Sequence, residues 1–130
     1  MNWTSILAVF VGSGLGGVCR FLLSKVVQPN VTGGTVFPWG TFTVNIIGCF
    51  IIGLCYGLFN RYASSSMVMP QVRLLLTVGF CGGFTTFSTF INENYLLLQS
   101  SNMLLTLTYV AASIIVGLTL LYAGYAASQF

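Results

Sequence analysis

The sequence predicts an all-α membrane protein of four transmembrane helices, the third of them broken, and three observations lead there. Hydrophobic residues make up 56% of the 130-residue chain and charged residues only 4%. So few polar groups cannot cover a surface facing water, which makes lipid the solvent. Four apolar segments, Thr4–Val27, Trp39–Phe59, Val72–Leu98 and Met103–Ala127, each reach the ~20 residues that cross a hydrocarbon core about 30 Å thick. Inside the third lies Gly79-Phe80-Cys81-Gly82-Gly83-Phe84-Thr85-Thr86-Phe87-Ser88-Thr89-Phe90. Glycine costs about 1 kcal/mol against alanine in a helix interior, and the hydroxyl side chains compete with helical hydrogen bonding. A regular helix is therefore not expected to run through this stretch. Backbone freed within a membrane is tolerated only where protein buries it or where it lines a wet cavity. The other three spans are expected to bury the break, with residues 1–130 forming one four-span domain.

Span one carries Gly12, Gly16, Arg20 and Ser24 at steps of four, which puts small residues and one cation on a single face. The GxxxG pair Gly12 and Gly16 admits a neighbouring backbone. Its start, Met1-Asn2-Trp3, lacks a basic region and further spans follow, so a cleaved signal peptide is not expected. Arg20 has two readings, a side chain snorkelling to the headgroups or a cation at a water-filled mouth. Residues 28–38 hold Pro29, Gly33, Gly34 and Pro38 and read as a loop, after which Trp39 stands at the level of an aromatic belt.

In span two, Thr41, Asn45, Gly48 and Ile52 share a face, and Gly53 and Gly57 form a second GxxxG. Asn45 lies on the order of 9 Å past Trp39, too deep to reach bulk water. Its partner is either another helix or a permeating species. A polar loop follows from Asn60 to Ser66, and Gln71 and Arg73 mark the entrance of span three. Glu93, the one acid in the chain, comes one to two turns before Gln99-Ser100-Ser101-Asn102 and reads either as an interfacial residue or as a functional one. Span four aligns Thr106, Tyr109, Ser113 and Gly117. Hydroxyls at this density either join helices or line an aqueous path, and spacing alone does not separate the two. Tyr122 and Tyr125 read as interface anchors.

With no histidine, no aspartate and one glutamate, the chain offers neither an acid–base pair nor an activated nucleophile, so an enzyme is not expected. The net charge is +3, but Arg20, Lys25, Arg61 and Arg73 are scattered and form no face for nucleic acid. Cys19, Cys49, Cys55 and Cys81 lie in the spans without a CxxC pair and read as small hydrophobes. What remains is a set of neutral donors, namely the Asn45 amide and the hydroxyls of Thr41, Thr85, Thr86, Ser88, Thr89 and Ser113. Such donors replace water around a small anion without holding it as a fixed cation would. The phenyl rings of Phe84, Phe87 and Phe90 have positive rims that also favour an anion, and their step of three crowds them along one side of any helix there. As a stripe alone they read equally as core or lipid-facing packing. Carbonyls freed at the break offer the opposite chemistry, an oxygen cage for a cation.

Four helices leave little room for both a pore and its supporting shell, so association is expected. By the positive-inside rule Arg61 and Arg73 share one side, and Lys25, with Arg20 if it snorkels outward, shares the other. This weak bias permits insertion in both orientations and hence an antiparallel dimer.

The run from Gly79 to Phe90, together with Pro38-Trp39-Gly40-Thr41-Phe42-Thr43-Val44-Asn45-Ile46-Ile47-Gly48 and Gly12-Ser13-Gly14-Leu15-Gly16-Gly17-Val18-Cys19-Arg20-Phe21, resembles the CrcB/Fluc fluoride channel family. The resemblance implies an antiparallel, dual-topology homodimer, multi-pass in the cell (inner) membrane, with two fluoride pores each lined by both subunits. Cytoplasmic fluoride would leave passively down its electrochemical gradient, lowering its toxicity. Phe87 and Phe90 match the pore phenylalanines and Asn45 the pore asparagine. Thr41, Tyr109 and Ser113 fall on the polar track, with Glu93 near one end and Arg20 near the vestibule. The backbone carbonyls of Gly82 and Thr85 match positions that, in both subunits, hold a structural Na+ ion at the dimer centre. One departure is Gly117, where some relatives are expected to carry a second serine. A small multidrug transporter is the alternative, but it needs a membrane-embedded carboxylate, and span one has none. A structural or holin-like protein would leave Asn45 and the third span without a purpose. A fluoride/proton antiporter is a further option in the same ion class.

Overall fold

The first helix begins where the Asn2 side chain accepts the Ser5 N–H at 3.0 Å, satisfying a donor that the first turn leaves free. In the computed structural model, which describes residues 2–28, 37–63 and 70–130, helix α1 runs Trp3–Val27 and α2 runs Trp39–Arg61. The third span is composite. Helix α3 (Pro70–Leu74) passes into a π-helical segment, Leu75–Cys81, and then into a last α-turn, α4 (Gly82–Phe84). Thr85 is extended, with φ −88° and ψ 159°, and helix α5 resumes over Ser88–Gln99. Helix α6 fills Met103–Ala127, its first turn capped by Asn102 Oδ1 accepting the Leu105 N–H at 3.2 Å. Among the described residues, four stretches are thus long and apolar enough to cross a membrane: Trp3–Val27, Trp39–Arg61, Pro70–Gln99 and Met103–Ala127. Their ends fall within two residues of those expected. Pro29, Gly33 and Gly34 of the first expected loop, and Ser64, Ser65 and Ser66 of the second, lie outside the described residues.

Packing follows glycine rather than a greasy core, as expected where lipid removes the hydrophobic drive between helices. Span one lies chiefly on span three, and span two chiefly on span four. At Gly16 a Cβ would fall on the Phe80 carbonyl oxygen and 2.8 Å from the Phe84 nitrogen, so the two backbones touch. The same occurs at Gly124, where a Cβ would fall on the Phe50 carbonyl oxygen and 3.0 Å from the Leu54 nitrogen. These contacts account for the glycine run of span three. Gly79 and Gly83 serve close approach to span one while the chain stays coiled, and the non-helical residues come after them, at Thr85–Phe87.

The π segment has local causes. Thr77 Oγ1 donates to the Arg73 carbonyl at 2.7 Å, competing for the acceptor that an α-helix would give to the Thr77 N–H. The Gly82 N–H reaches the Thr77 carbonyl, five residues back, as well as that of Gly79. Tyr109 and Val44 are fully buried, and Cys81, Phe84 and Leu97 are nearly so.

Candidate functional site

The site grows from the non-helical residues of span three. Asn45 supplies both halves of a clamp on Thr86: its Oδ1 accepts the Thr86 N–H at 2.8 Å and its Nδ2 donates to the Thr86 carbonyl at 3.0 Å. The side-chain amide thus pairs with the peptide as a neighbouring strand would. Between the two outcomes expected for Asn45, the structure shows a partner in another span, and one N–H of the amide remains for another acceptor. Gly48, one turn further along span two, gives the Thr85 methyl its space, since a Cβ there would overlap Thr85 Cγ2. Thr86 Oγ1 accepts the Thr89 N–H at 3.3 Å and so caps helix α5. Thr85 Oγ1 donates to the Cys81 carbonyl at 2.8 Å.

A second cluster lies on the helix that follows. The Thr41 hydroxyl donates to one carboxylate oxygen of Glu93, and Tyr109 Oη lies 3.4 Å from the other. Glu93 therefore joins spans two, three and four, which the reading of a merely interfacial acid does not describe. The Tyr109 ring meets Phe90 in a T-shaped contact with centroids 4.9 Å apart, and Phe37 in another at 5.2 Å. Such edge contacts follow the ring quadrupole and hold Phe90 in place.

Two open clefts flank this framework. One, of about 540 Å³, is lined by Arg20, Ser24, Lys25, Thr41, Thr86 and Thr89 among others, so that both cations of span one face hydroxyl groups. The other, of about 390 Å³, is lined by Asn45, Gly48, Cys49, Gly82, Thr85, Thr86 and Phe87 with apolar neighbours. Thr86 borders both. A smaller space of about 310 Å³ connects Ser24, Thr41 and Glu93. Arg20 thus lines a cleft together with hydroxyl groups. Lys25, which sits 4.8 Å from the centroid of the Phe21 ring, lines the same cleft.

The phenylalanine stripe divides. Phe84 is 4% exposed and stacked on Phe80, with centroids 5.7 Å apart, whereas Phe87 is 75% exposed and tilted against Phe90 at 6.2 Å. The stripe that any helix there would form is absent, because the extended Thr85 lies between the first ring and the second. Ser113 lies on span four beyond Tyr109, with its Oγ buried and without a hydrogen-bond partner among the described residues, beside an apolar space it shares with Cys49 and Gly117. Gly117 packs on Cys49, whose Sγ would lie 3.3 Å from an added Cβ. Gln28 went unread in the sequence. Its Oε1 accepts the Gly40 N–H at 3.1 Å and ties the end of span one to the first turn of span two. Only its place after a helix, with polar reach, hinted at this.

Two backbone oxygens stand apart. The N–H groups that would close a helix onto the Gly82 and Thr85 carbonyls belong to Thr86 and Thr89, and both are given to side chains instead. Uncharged carbonyl oxygens of this kind suit a hard cation.

Residues 7–125 match the family described as CrcB-like protein, Camphor Resistance (CrcB). The chain belongs to the CrcB family. Its relatives include proteins named fluoride-specific ion channel FluC. That of Phocaeicola vulgatus is 46% identical over 114 residues, covering 88% of this chain and 89% of the relative. That of Bacteroides fragilis is 43% identical over 127 residues, covering 96% and 97%. That of Chlorobium phaeobacteroides is 46% identical over 121 residues, covering 93% and 89%. The resemblance drawn from the motifs of spans one to three is borne out, and with its four spans this CrcB protein is a multi-pass membrane protein.

Proposed function

We propose that this chain is a fluoride-specific ion channel that works as an antiparallel, dual-topology homodimer, lets fluoride leave the cytoplasm passively through two pores, and uses the interrupted third span at its centre. The relatives' name supports the ion. One structural observation carries the assembly: Phe87, in the non-helical turn, and Gly82, three residues before it, are exposed on the outside of the chain within a span. Irregular backbone does not face lipid in the hydrocarbon core, and an unsatisfied peptide group there costs ~1–3 kcal/mol. A second copy laid across this face removes the exposure and turns two open clefts into enclosed conduits.

In this reading the cleft of Arg20, Thr41, Thr86 and Thr89 is the vestibule, where cations gather the anion and hydroxyls begin to replace its water. Phe87 and Phe90 present ring edges to fluoride, and Asn45 offers its remaining N–H. Glu93, Tyr109 and Thr41 form the polar track beyond, with Ser113 further along it. The Gly82 and Thr85 carbonyls of each copy would hold the structural sodium ion at the dimer axis, where its charge would draw the two interrupted spans together. Oxygen donors without competing helical N–H groups fit such an ion.

Anion efflux from liposomes holding the purified protein tests the function. Rapid fluoride loss without a proton gradient, with chloride retained, is expected. Fluoride uptake against its gradient when protons are supplied would replace the channel by the antiporter, and proton-coupled uptake of cationic drugs would replace it by the multidrug transporter.

A further inference from the structure

An α-helix running through span three would close the Thr86 N–H onto the Gly82 carbonyl and the Thr89 N–H onto the Thr85 carbonyl. Both donors are turned away. Asn45 Oδ1 takes the first at 2.8 Å and Thr86 Oγ1 takes the second at 3.3 Å. The two carbonyls released are the pair assigned above to sodium, and Thr86 is party to both diversions. Asn45 Nδ2, donating to the Thr86 carbonyl at 3.0 Å, fixes the same peptide from its other side. The hydroxyl of Thr86 is further set by Thr89 Oγ1 at 3.1 Å.

We propose that Asn45 and Thr86 are positioning residues for the cation site: one side-chain amide and one hydroxyl hold two N–H groups off Gly82 and Thr85, so that both carbonyl oxygens stay open. Neither side chain is a ligand of the ion. The inference rests on the sodium reading and adds to it a link between the asparagine of the anion path and the affinity for the cation. Loss of the Thr86 hydroxyl frees the Thr89 N–H to return to Thr85. Loss of the Asn45 acceptor frees the Thr86 N–H to return to Gly82. Either repair of the helix withdraws an oxygen from each copy, hence two from the dimer.

Thermal unfolding of the full chain in detergent, titrated with sodium chloride against N-methylglucamine chloride at constant ionic strength, reads cation binding without any fluoride flux. The wild-type midpoint temperature should rise with sodium. Thr86→Val, which keeps the shape and loses the hydroxyl, should need at least tenfold more sodium for half the rise, and Asn45→Leu likewise. Thr86→Ser keeps the hydroxyl and should stay within about threefold of wild type. Asn45→Asp keeps an oxygen for the Thr86 N–H and should respond to sodium at least as strongly as wild type. Thr86→Cys, a weaker acceptor of similar size, covers the case in which the valine variant does not fold, and should shift the same way. Unchanged sodium midpoints in the Thr86→Val or Thr86→Cys protein overturn the positioning role and leave the sodium reading standing. A wild-type protein indifferent to sodium overturns both.

Discussion

Replacing Gly16 by alanine tests the seam that carries span three. The added Cβ would fall on the Phe80 carbonyl oxygen, 2.8 Å from the Phe84 nitrogen and 3.0 Å from the Phe80 carbonyl carbon. All three are backbone atoms, so no side chain can swing aside and span one must retreat. A retreat of about 1 Å forfeits up to half of the dispersion attraction along the seam. Overpacking of this kind costs ~1–3 kcal/mol, and the better helix propensity of alanine returns at most about 1 kcal/mol. Gly17→Ala is the internal control, since nothing lies within 4 Å of a Cβ there and only the propensity gain applies. The two variants should therefore differ by ~1–3 kcal/mol, with Gly16→Ala the less stable. Unfolding in mixed micelles, followed by the fluorescence of Trp3 and Trp39, measures the difference. If Gly16→Ala proves as stable as Gly17→Ala, the backbone seam is not what holds span three in place.

Phe87→Ile and Phe90→Ile should each block fluoride efflux while the protein still runs as a dimer in size exclusion; wild-type rates in both would end the ring-edge role. Asn45→Asp should abolish conduction, because a carboxylate has no N–H to offer and repels anions when ionised, and robust efflux would contradict this. Thr41→Val removes the hydroxyl that Glu93 accepts from, leaving Tyr109 as the carboxylate's hydrogen-bond partner among the described residues. It should cost ~1–3 kcal/mol of stability and slow efflux at least about tenfold, and unchanged efflux would take Glu93 off the path. Tags on the C-terminus should report from both faces of the membrane, and a single strict orientation would refute dual insertion.

The four spans were legible because apolar length against a fixed bilayer thickness is a one-dimensional quantity. Gly12 and Gly16 were legible for a related reason, since a step of four fixes one helix face and small residues there admit a backbone. What those glycines touch is a matter of three dimensions, and only the structure pairs Gly16 with Phe80. The π segment at Leu75–Cys81 left no readable sign, because it depends on which carbonyl the Thr77 hydroxyl and the Gly82 N–H reach. Asn45 was recognisable as a residue in need of a partner, and its depth along span two supplied that. That the partner is the peptide of Thr86 could not be read, since the contact joins residues 41 positions apart. The same holds for Glu93, whose nearness in sequence to a polar loop concealed its place between Thr41 and Tyr109. The phenylalanine stripe required a helix through all three rings, and which residue would interrupt it, Thr85, could not be read from spacing.

The pairing order of the helices bears on how the protein is made. Span one rests mainly on span three and span two mainly on span four, so each seam joins segments that leave the ribosome well apart. Until span three is made, Gly12 and Gly16 lack the backbone they pack on in the finished fold. A chain cut after Arg61 would keep both of its spans and lose the main partner of each, span three for the first and span four for the second.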